Sequence, residues 1–415
     1  MLEKVLKEMP DSYRWIFAGT DLLKDIYLAE RTPIFGPRGR LVRRIVSCLP
    51  FHWLRFLFIV SIASIDVTCL RIKAGRQKEE LPRGCRIFVG FGAGPEKGMW
   101  KAYETESETV AIRLDETEFS SWGKYKNLSI VKLWSSVWAL ASAEFRALSS
   151  ANEKALRDRW LDTFTCLGLG LSRYVFYREW WLSLRDSELS EVVFISADKA
   201  AHACIDAGIR RVKYRQHGLL RKSIVMPKFE HARFLTAIEA AWFANFLPRS
   251  QIEVLEGQTG QMHHDKVMLF TSVFDTDTFS RECDLPRVRA IVEWAQTMGL
   301  RILVRKHPRE EGGFWETHFP QLEVDASPDN FEQVVRRVCP MFVVSWFSTC
   351  LVDALKMNVV PVSVMSPGHE LLQDIVFNVE TNCLLWPKAR EVMEILTEGR
   401  VSVESVVLSL SADRQ

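Results

Sequence analysis

No two cysteines of this chain are placed to work together. Cys48, Cys69, Cys85, Cys166, Cys204, Cys283, Cys339, Cys350 and Cys383 stand singly, with no CxxC pair and no regular spacing. A disulfide framework or a zinc site would group them, so they read as reduced cytosolic thiols. An excess of one charge is also missing. Lys plus Arg total 54 against 52 Asp plus Glu, and the net charge of +2 leaves no general field to draw in nucleic acid, so any anion binding must be local. The opening MLEKVLKEMPDSYRW lacks the basic segment, apolar core and small-residue cleavage site of a secretory signal. A clean spanning run is lacking too: the most apolar stretch, 51–70, is interrupted by His52, Arg55 and Asp66, short of the roughly 20 apolar residues a transmembrane helix wants. With no G-x-S-x-G elbow, a nucleophilic serine has no anchor. There is no internal repeat and no low-complexity tract.

What remains is a chain that should fold. Its 415 residues, 47% hydrophobic and 26% charged, have the size and composition of two soluble domains, each able to bury its own core. The segment GPRGRLVRR sets Arg38, Arg40, Arg43 and Arg44 beside the aromatic-rich stretch that begins at Phe51. It reads either as a buried helix with a solvated basic turn or as an interfacial anchor that makes a peripheral membrane contact. After the polar run RIKAGRQKEELPRG, strand-like runs are expected at 86–90, 109–113, 192–196, 212–216 and 234–238, with a long helical pattern over 131–173. The polar segment 256–265, with two glycines, is the best linker. Beyond it strands at 266–271, 301–305, 341–344 and 359–364 alternate with helices at 287–298, 329–337 and 348–357. Such alternation predicts an α/β fold with parallel sheets. The expected division is a helical segment over 1–84 packed on the first domain, a Rossmann-like domain over 85–257 and a second over 265–415.

In open α/β sheets ligands sit beyond the carboxyl ends of the strands, so residues just after each strand carry the functional information. The strand at 301–305 runs straight into Lys306, His307, Pro308 and Arg309, where Pro308 stops the ladder and cationic groups converge in a way that suits a phosphate or ribose, or simply a solvated basic turn. The strand at 341–344 breaks into Ser345, Ser348 and Thr349 and then opens a helix; the hydroxyls and first-turn amides make an anion site, or a plain N-cap. In the first half a strand delivers Gln216 and His217 to a turn at Gly218, and a histidine there is a candidate general base or a structural hydrogen-bonder. Asp198 also follows a strand and is a second candidate base, or the cap of the next helix.

Weaker signals complete the set. The glycine-rich stretch 90–98 misses the GxGxxG register, and Gly92 and Gly94 read as a flexible loop on the acceptor side or a tight turn. Asp275-Thr-Asp277 spells a DxD, too short to assign a metal, and His263-His264-Asp265 reads as a solvated turn. No metal and no cofactor is expected.

His-Pro after one strand, then about forty residues on a Ser/Thr pair opening a helix after another, resembles the nucleotide half of bacterial GT-B transferases. The similar families are the sialyltransferases and polysialyltransferases, the Kdo transferases of capsule synthesis and the teichoic-acid glycerophosphotransferases, and the likeness covers 192–370. The resemblance implies a GT-B-like fold, two Rossmann-type domains facing across a cleft. It implies a cytidine nucleotide held by His307, Pro308, Ser348 and Thr349. Gln216-His217-Gly218 looks like the His-Gly turn whose histidine serves as base in the glycerophosphotransferases. The chain departs from the sialyltransferases in having no acidic pair followed by glycine; Asp206-Ala-Gly208 is the nearest match, so the base stays open between His217 and Asp198. The implied partners are a CMP- or CDP-type nucleotide-sugar donor and a surface polysaccharide or lipid-linked acceptor, and the implied place is the cytoplasm, at the inner face of the membrane. A polyol-phosphate transferase, a nucleotide-sugar epimerase and a non-catalytic nucleotide-sugar-binding subunit are the alternatives.

Overall fold

The computed structural model describes residues 37–74, 81–90, 109–113, 129–150, 160–184, 189–222, 224–247, 251–255, 263–271, 281–306, 313–346, 348–365 and 375–411. Helices α1 (Pro37–Cys48) and α2 (His52–Ala74) come first, then β1 (Arg86–Gly90), β2 (Thr109–Arg113), α3 (Ile130–Ser150) and α4 (Trp160–Ser183). The first half continues with β3 (Glu191–Phe194), α5 (Lys199–Asp206), β4 (Val212–Arg215), β5 (His231–Phe234), α6 (Ala237–Phe243) and β6 (Ile252–Val254). The second half opens with β7 (Asp265–Phe270), α7 (Arg281–Thr297), β8 (Arg301–Val304), α8 (Phe314–His318), β9 (Glu323–Val324) and α9 (Phe331–Val338). It closes with β10 (Pro340–Ser345), α10 (Thr349–Lys356), β11 (Val360–Ser363), α11 (Val379–Asn382), β12 (Leu384–Leu385), α12 (Arg390–Thr397) and α13 (Val403–Ser411).

The strands make two six-stranded sheets, and every pairing in both is parallel. The first runs β2-β1-β3-β4-β5-β6 and the second β9-β8-β7-β10-β11-β12. Counted from its own first strand, the second has the Rossmann order and the first the flavodoxin-like order extended by one strand. The expected pair of Rossmann-type α/β domains is therefore present. The sequence explains it: a parallel sheet covered on both faces needs near-continuous apolar strands, and all six residues of β10 are buried, as are the last four of β1 and of β7.

The helical pattern expected over 131–173 is met by α3 and α4, with 151–159 outside the described residues. Two expectations need correcting. The strand expected at 234–238 is β5, which ends at Phe234; Thr236 then caps α6, its hydroxyl accepting from Glu239 N–H at 3.2 Å. Thr-x-x-Glu is a helix-start signature, and here it outweighs the apolar run. The short strands β6, β9 and β12 were not expected; two or three residues are too few to show a period.

The core of the first domain includes helix α2. Ile59, Ala63 and Val67 of α2 are fully buried in one cluster with Ile87 of β1 and Leu133 of α3. Trp180 and Trp181 of α4 are both fully buried and meet edge to face at 4.6 Å, and the Trp181 indole N–H donates to Ala200 O at 3.2 Å, tying α4 to α5. Deleting either indole would cost about 3–5 kcal/mol.

The two domains are stitched at one seam. Arg221 and Ile375 form an antiparallel bridge, and Val376 N–H donates to Leu220 O at 2.9 Å. Val376 joins the core of the first domain while Leu219 packs on that of the second. A second tie comes from the end of α10, where Lys356 Nζ donates to Leu255 O at 3.3 Å.

Candidate functional site

The strand order of each sheet reverses once, between β1 and β3 in the first and between β7 and β10 in the second, and the strand ends beside these points are where such folds bind ligands. At the second, Thr271 follows β7 directly and Ser345 ends β10. Ser345, fully buried, donates its hydroxyl to Thr271 O at 2.7 Å, and Ser363 donates to Trp346 O at 2.6 Å, so the loop leaving β10 is pinned on both sides. Ser345 thus serves the sheet, lacing β10 to β7. Ser348 is the N-cap of α10, accepting from Cys350 N–H at 3.3 Å, and Thr349 is the first helical residue. Both are partly exposed.

Thr271 was missed from sequence. Its Oγ1 is buried and has no hydrogen-bond partner among the described residues, although the Cys350 thiol, a weak donor, lies beside it. Burial pushes that thiol up to about 11, so Cys350 stays protonated. A buried hydroxyl left without a partner costs about 1–3 kcal/mol and asks for an explanation.

On the far side of β7, the end of β8 presents Arg305 and Lys306. Arg305 is clamped: one guanidinium nitrogen donates to Asp325 Oδ2 at 2.9 Å and the other to Asp329 O. Arg337 reaches the other oxygen of Asp325 at 2.9 Å, and its hydrogen bond holds the carboxyl below the usual range despite the opposing effect of burial. Lys306 pairs with Glu316 of α8 at the surface. His307, Pro308 and Arg309 lie outside the described residues, as do Gly92, Gly94, Asp275 and Asp277. Among the described residues no three His, Cys, Asp or Glu side chains stand together as a metal cage.

In the first domain Asp198 and His217 follow β3 and β4, which pair in parallel through Phe194 and Tyr214, so both lie at the same edge of the sheet. Asp198 is the N-cap of α5. Its Oδ1 accepts from Ala200 N–H at 2.8 Å and Ala201 N–H at 3.0 Å, and its Oδ2 accepts from the Ser196 hydroxyl. Burial pushes its carboxyl up, against those three hydrogen bonds and the charge of Lys199. Of the two readings open from sequence, the cap is realised.

His217 is partly exposed on a tightly braced turn. Gln216 faces inward, not toward an acceptor: its amide donates to Gly218 O and to Glu239 Oε1, each at 2.6 Å, and its Oε1 accepts from Leu235 N–H at 2.7 Å. Glu239, fully buried on α6, also accepts from Leu220 N–H at 3.1 Å and the Thr236 hydroxyl at 2.9 Å. Burial raises its pKa, while the hydrogen bonds from Leu220, Thr236 and Gln216 and the charge of Lys356 in the second domain oppose this. Glu239 was also missed from sequence, although Thr236-x-x-Glu239 marks it.

Fold and site together define a protein of two Rossmann-type domains with polar strand ends at both switch points. No family model matches the chain, and no curated protein matches it. Solved structures are similar to it at low identity. The UDP co-structure of S. aureus MnaA is 11% identical, covering 79% of this chain and 91% of its own, with a TM-score of 0.43. A variant of the wall teichoic acid polymerase TagF is 11% identical, covering 92% and 93%, with a TM-score of 0.41. The UDP-GlcNAc 2-epimerase from Neisseria meningitidis, bound to UDP-GlcNAc, is 8% identical, covering 79% and 94%, with a TM-score of 0.41.

Proposed function

We propose that the chain is a GT-B-type glycosyltransferase that moves a sugar from a nucleotide-activated donor, of the CMP or CDP type, to a surface polysaccharide or lipid-linked acceptor. One observation carries the reading: at the switch point of the second sheet the buried Thr271 hydroxyl has, among the described residues, no partner stronger than the neighbouring Cys350 thiol, beside the N-terminus of α10. A donor phosphate placed there would accept from Thr271, from Thr349 and from first-turn amides, with the helix dipole favouring its charge. Lys306 can exchange its exposed partner Glu316 for a phosphate oxygen, and His307 and Arg309 complete the set. These groups neutralise the departing nucleotide, which is why no metal is required in this reading.

Across the seam His217 takes the proton of the acceptor hydroxyl as it attacks the donor, and Gly92 and Gly94 belong to the acceptor side. In glycosyl transfer the bond from the sugar carbon to the phosphate oxygen breaks. A polyol-phosphate transferase would use the same residues and break a P–O bond of the diphosphate instead.

Calorimetric titration of CMP, CDP, UDP and GDP, each with and without EDTA, tests the proposal. A cytidine nucleotide should bind equally in both conditions, and at about a hundred times its dissociation constant should raise stability by about 2.7 kcal/mol. Failure of all four to bind would sink the reading. Loss of binding in EDTA would shift the donor contact to Asp275 and Asp277.

A further inference from the structure

Among the described residues the first domain carries an exposed apolar face. Along α2 the exposed positions are Trp53, Leu57, Ser61, Ile65, Cys69 and Ile72, spaced by fours and a three, so they form one stripe, and none is charged. On the neighbouring helix α3, Val131, Trp134 and Trp138 are 76%, 50% and 50% exposed. The two helices meet through these residues: the Trp134 indole N–H donates to Thr68 Oγ1 at 3.0 Å, and Trp138 packs edge to face on Phe56 at 5.3 Å. The stripes therefore join into a single surface two helices wide. An isolated exposed leucine means nothing, but a contiguous apolar surface of this kind marks an interaction site.

Its chemistry selects the partner. Trp53 at one end of α2 stacks with Phe51, and the two further tryptophans lie on α3; amphipathic aromatics of this kind belong at a membrane–water boundary. The adjoining helix α1 has Arg38, Arg40, Arg43 and Arg44 in its sequence and no acidic residue, and Leu41 and Arg44 are exposed. Anionic headgroups would neutralise so basic a segment, whereas a purely apolar partner would leave it uncompensated. Residues Trp53–Ile72 are long and apolar enough to cross a bilayer. Their inner face, however, is part of the same core as β1, through Ile59, Ala63 and Val67, so the helix lies along the domain. We propose that the outer face of α2 and α3 docks on an anionic lipid bilayer, with α1 supplying the cationic rim. This holds whatever the cleft transfers.

The test is flotation of the full chain with phosphatidylcholine vesicles, with and without added phosphatidylglycerol. Binding should need the anionic lipid and weaken with salt. Ile65→Asp combined with Val131→Asp places two carboxylates at positions 62% and 76% exposed, which the fold should tolerate, and should lower the bound fraction by roughly tenfold or more. Thermal unfolding of the variant checks its fold. Should it fail to fold, quenching of the wild-type tryptophans by brominated lipids decides the matter, and no quenching overturns the proposal. Equal binding by a folded double variant, or no binding of the wild type to anionic vesicles, also overturns it. So does a concentration-dependent dimer in light scattering that ignores vesicles.

Discussion

The two strand-end turns beside the seam are built on opposite plans. In the first domain the turn after β4 is fully braced: Gln216 and Glu239 exchange hydrogen bonds with Gly218 O, Leu220 N–H, Leu235 N–H and Thr236, all inside the protein. In the second, the loop leaving β10 is pinned at Ser345 and Ser363, yet Thr271 beside it keeps a buried hydroxyl with no partner among the described residues stronger than the Cys350 thiol. A turn that satisfies itself can hold a side chain such as His217 at a fixed angle but has nothing more to offer a ligand. A turn with an unmet donor is held together less completely until something binds. Under the proposed function, the first turn positions and the second binds.

The largest effect should come from His217. If the braced turn exists to aim this imidazole, His217→Ala should lower turnover by about 10²–10⁴-fold and leave nucleotide affinity unchanged. Asp198→Ala is the companion measurement. Losing the cap of α5 should cost about 1 kcal/mol of stability with turnover largely kept. The opposite pattern, collapse of turnover in Asp198→Ala and near-normal rates in His217→Ala, would reassign the base to the carboxylate.

Next in size is Glu239. Replacing it by alanine strands one N–H of the Gln216 amide, Leu220 N–H and the Thr236 hydroxyl proton in the interior, and should destabilise the protein by about 3 kcal/mol in denaturant unfolding. Glu239→Gln keeps one oxygen to accept from Gln216 and Leu220 N–H and turns the other into an amide NH2 that can donate to the Thr236 hydroxyl oxygen, and should cost under about 1 kcal/mol. If the brace holds the histidine, hydrogen exchange at residues 217–220 should speed up in the alanine variant and not in the glutamine one. Equal stability of the two variants would mean that the carboxylate braces nothing.

Much of this layout was legible in the residues and some was not, for reasons that differ by element. β1 and β2 coincide with the runs expected at 86–90 and 109–113: β1, buried on both faces, reads as a continuous apolar segment, and the edge strand β2 alternates, with Val110 and Ile112 buried. β6 and β9 are edge strands of two or three residues, whose pairing depends on neighbours distant in sequence. The motif residues Ser348 and His217 do follow strands as expected, since the end of an apolar run and the start of a helix are both local signals. Gln216 looked like a ligand contact and is a brace, because the direction of a side chain at a strand end is set by the carboxylate it meets, here 23 residues away. Thr271 fell inside the run expected at 266–271, and only the meeting of β7, β10 and α10 shows that its hydroxyl has no partner.

The smallest effect, and the sharpest test of the contrast, is Thr271→Val. Valine is close to threonine in shape and puts a methyl where the hydroxyl stood. Where a buried hydroxyl is well bonded, this change destabilises; where it is unpaired, removing it is neutral or stabilising. Thr271→Val should therefore leave the unfolding midpoint of the free protein unchanged or raised, which is the reverse of what the same chemistry does at Thr236, whose hydroxyl both accepts from and donates to Glu239. Nucleotide affinity should move the other way and weaken by about fivefold, a loss of about 1 kcal/mol, because the ligand loses one donor. The two signs together separate a binding hydroxyl from a structural one. If Thr271→Val destabilises the free protein and binds nucleotide as before, Thr271 belongs to the scaffold, and the second turn is as self-satisfied as the first.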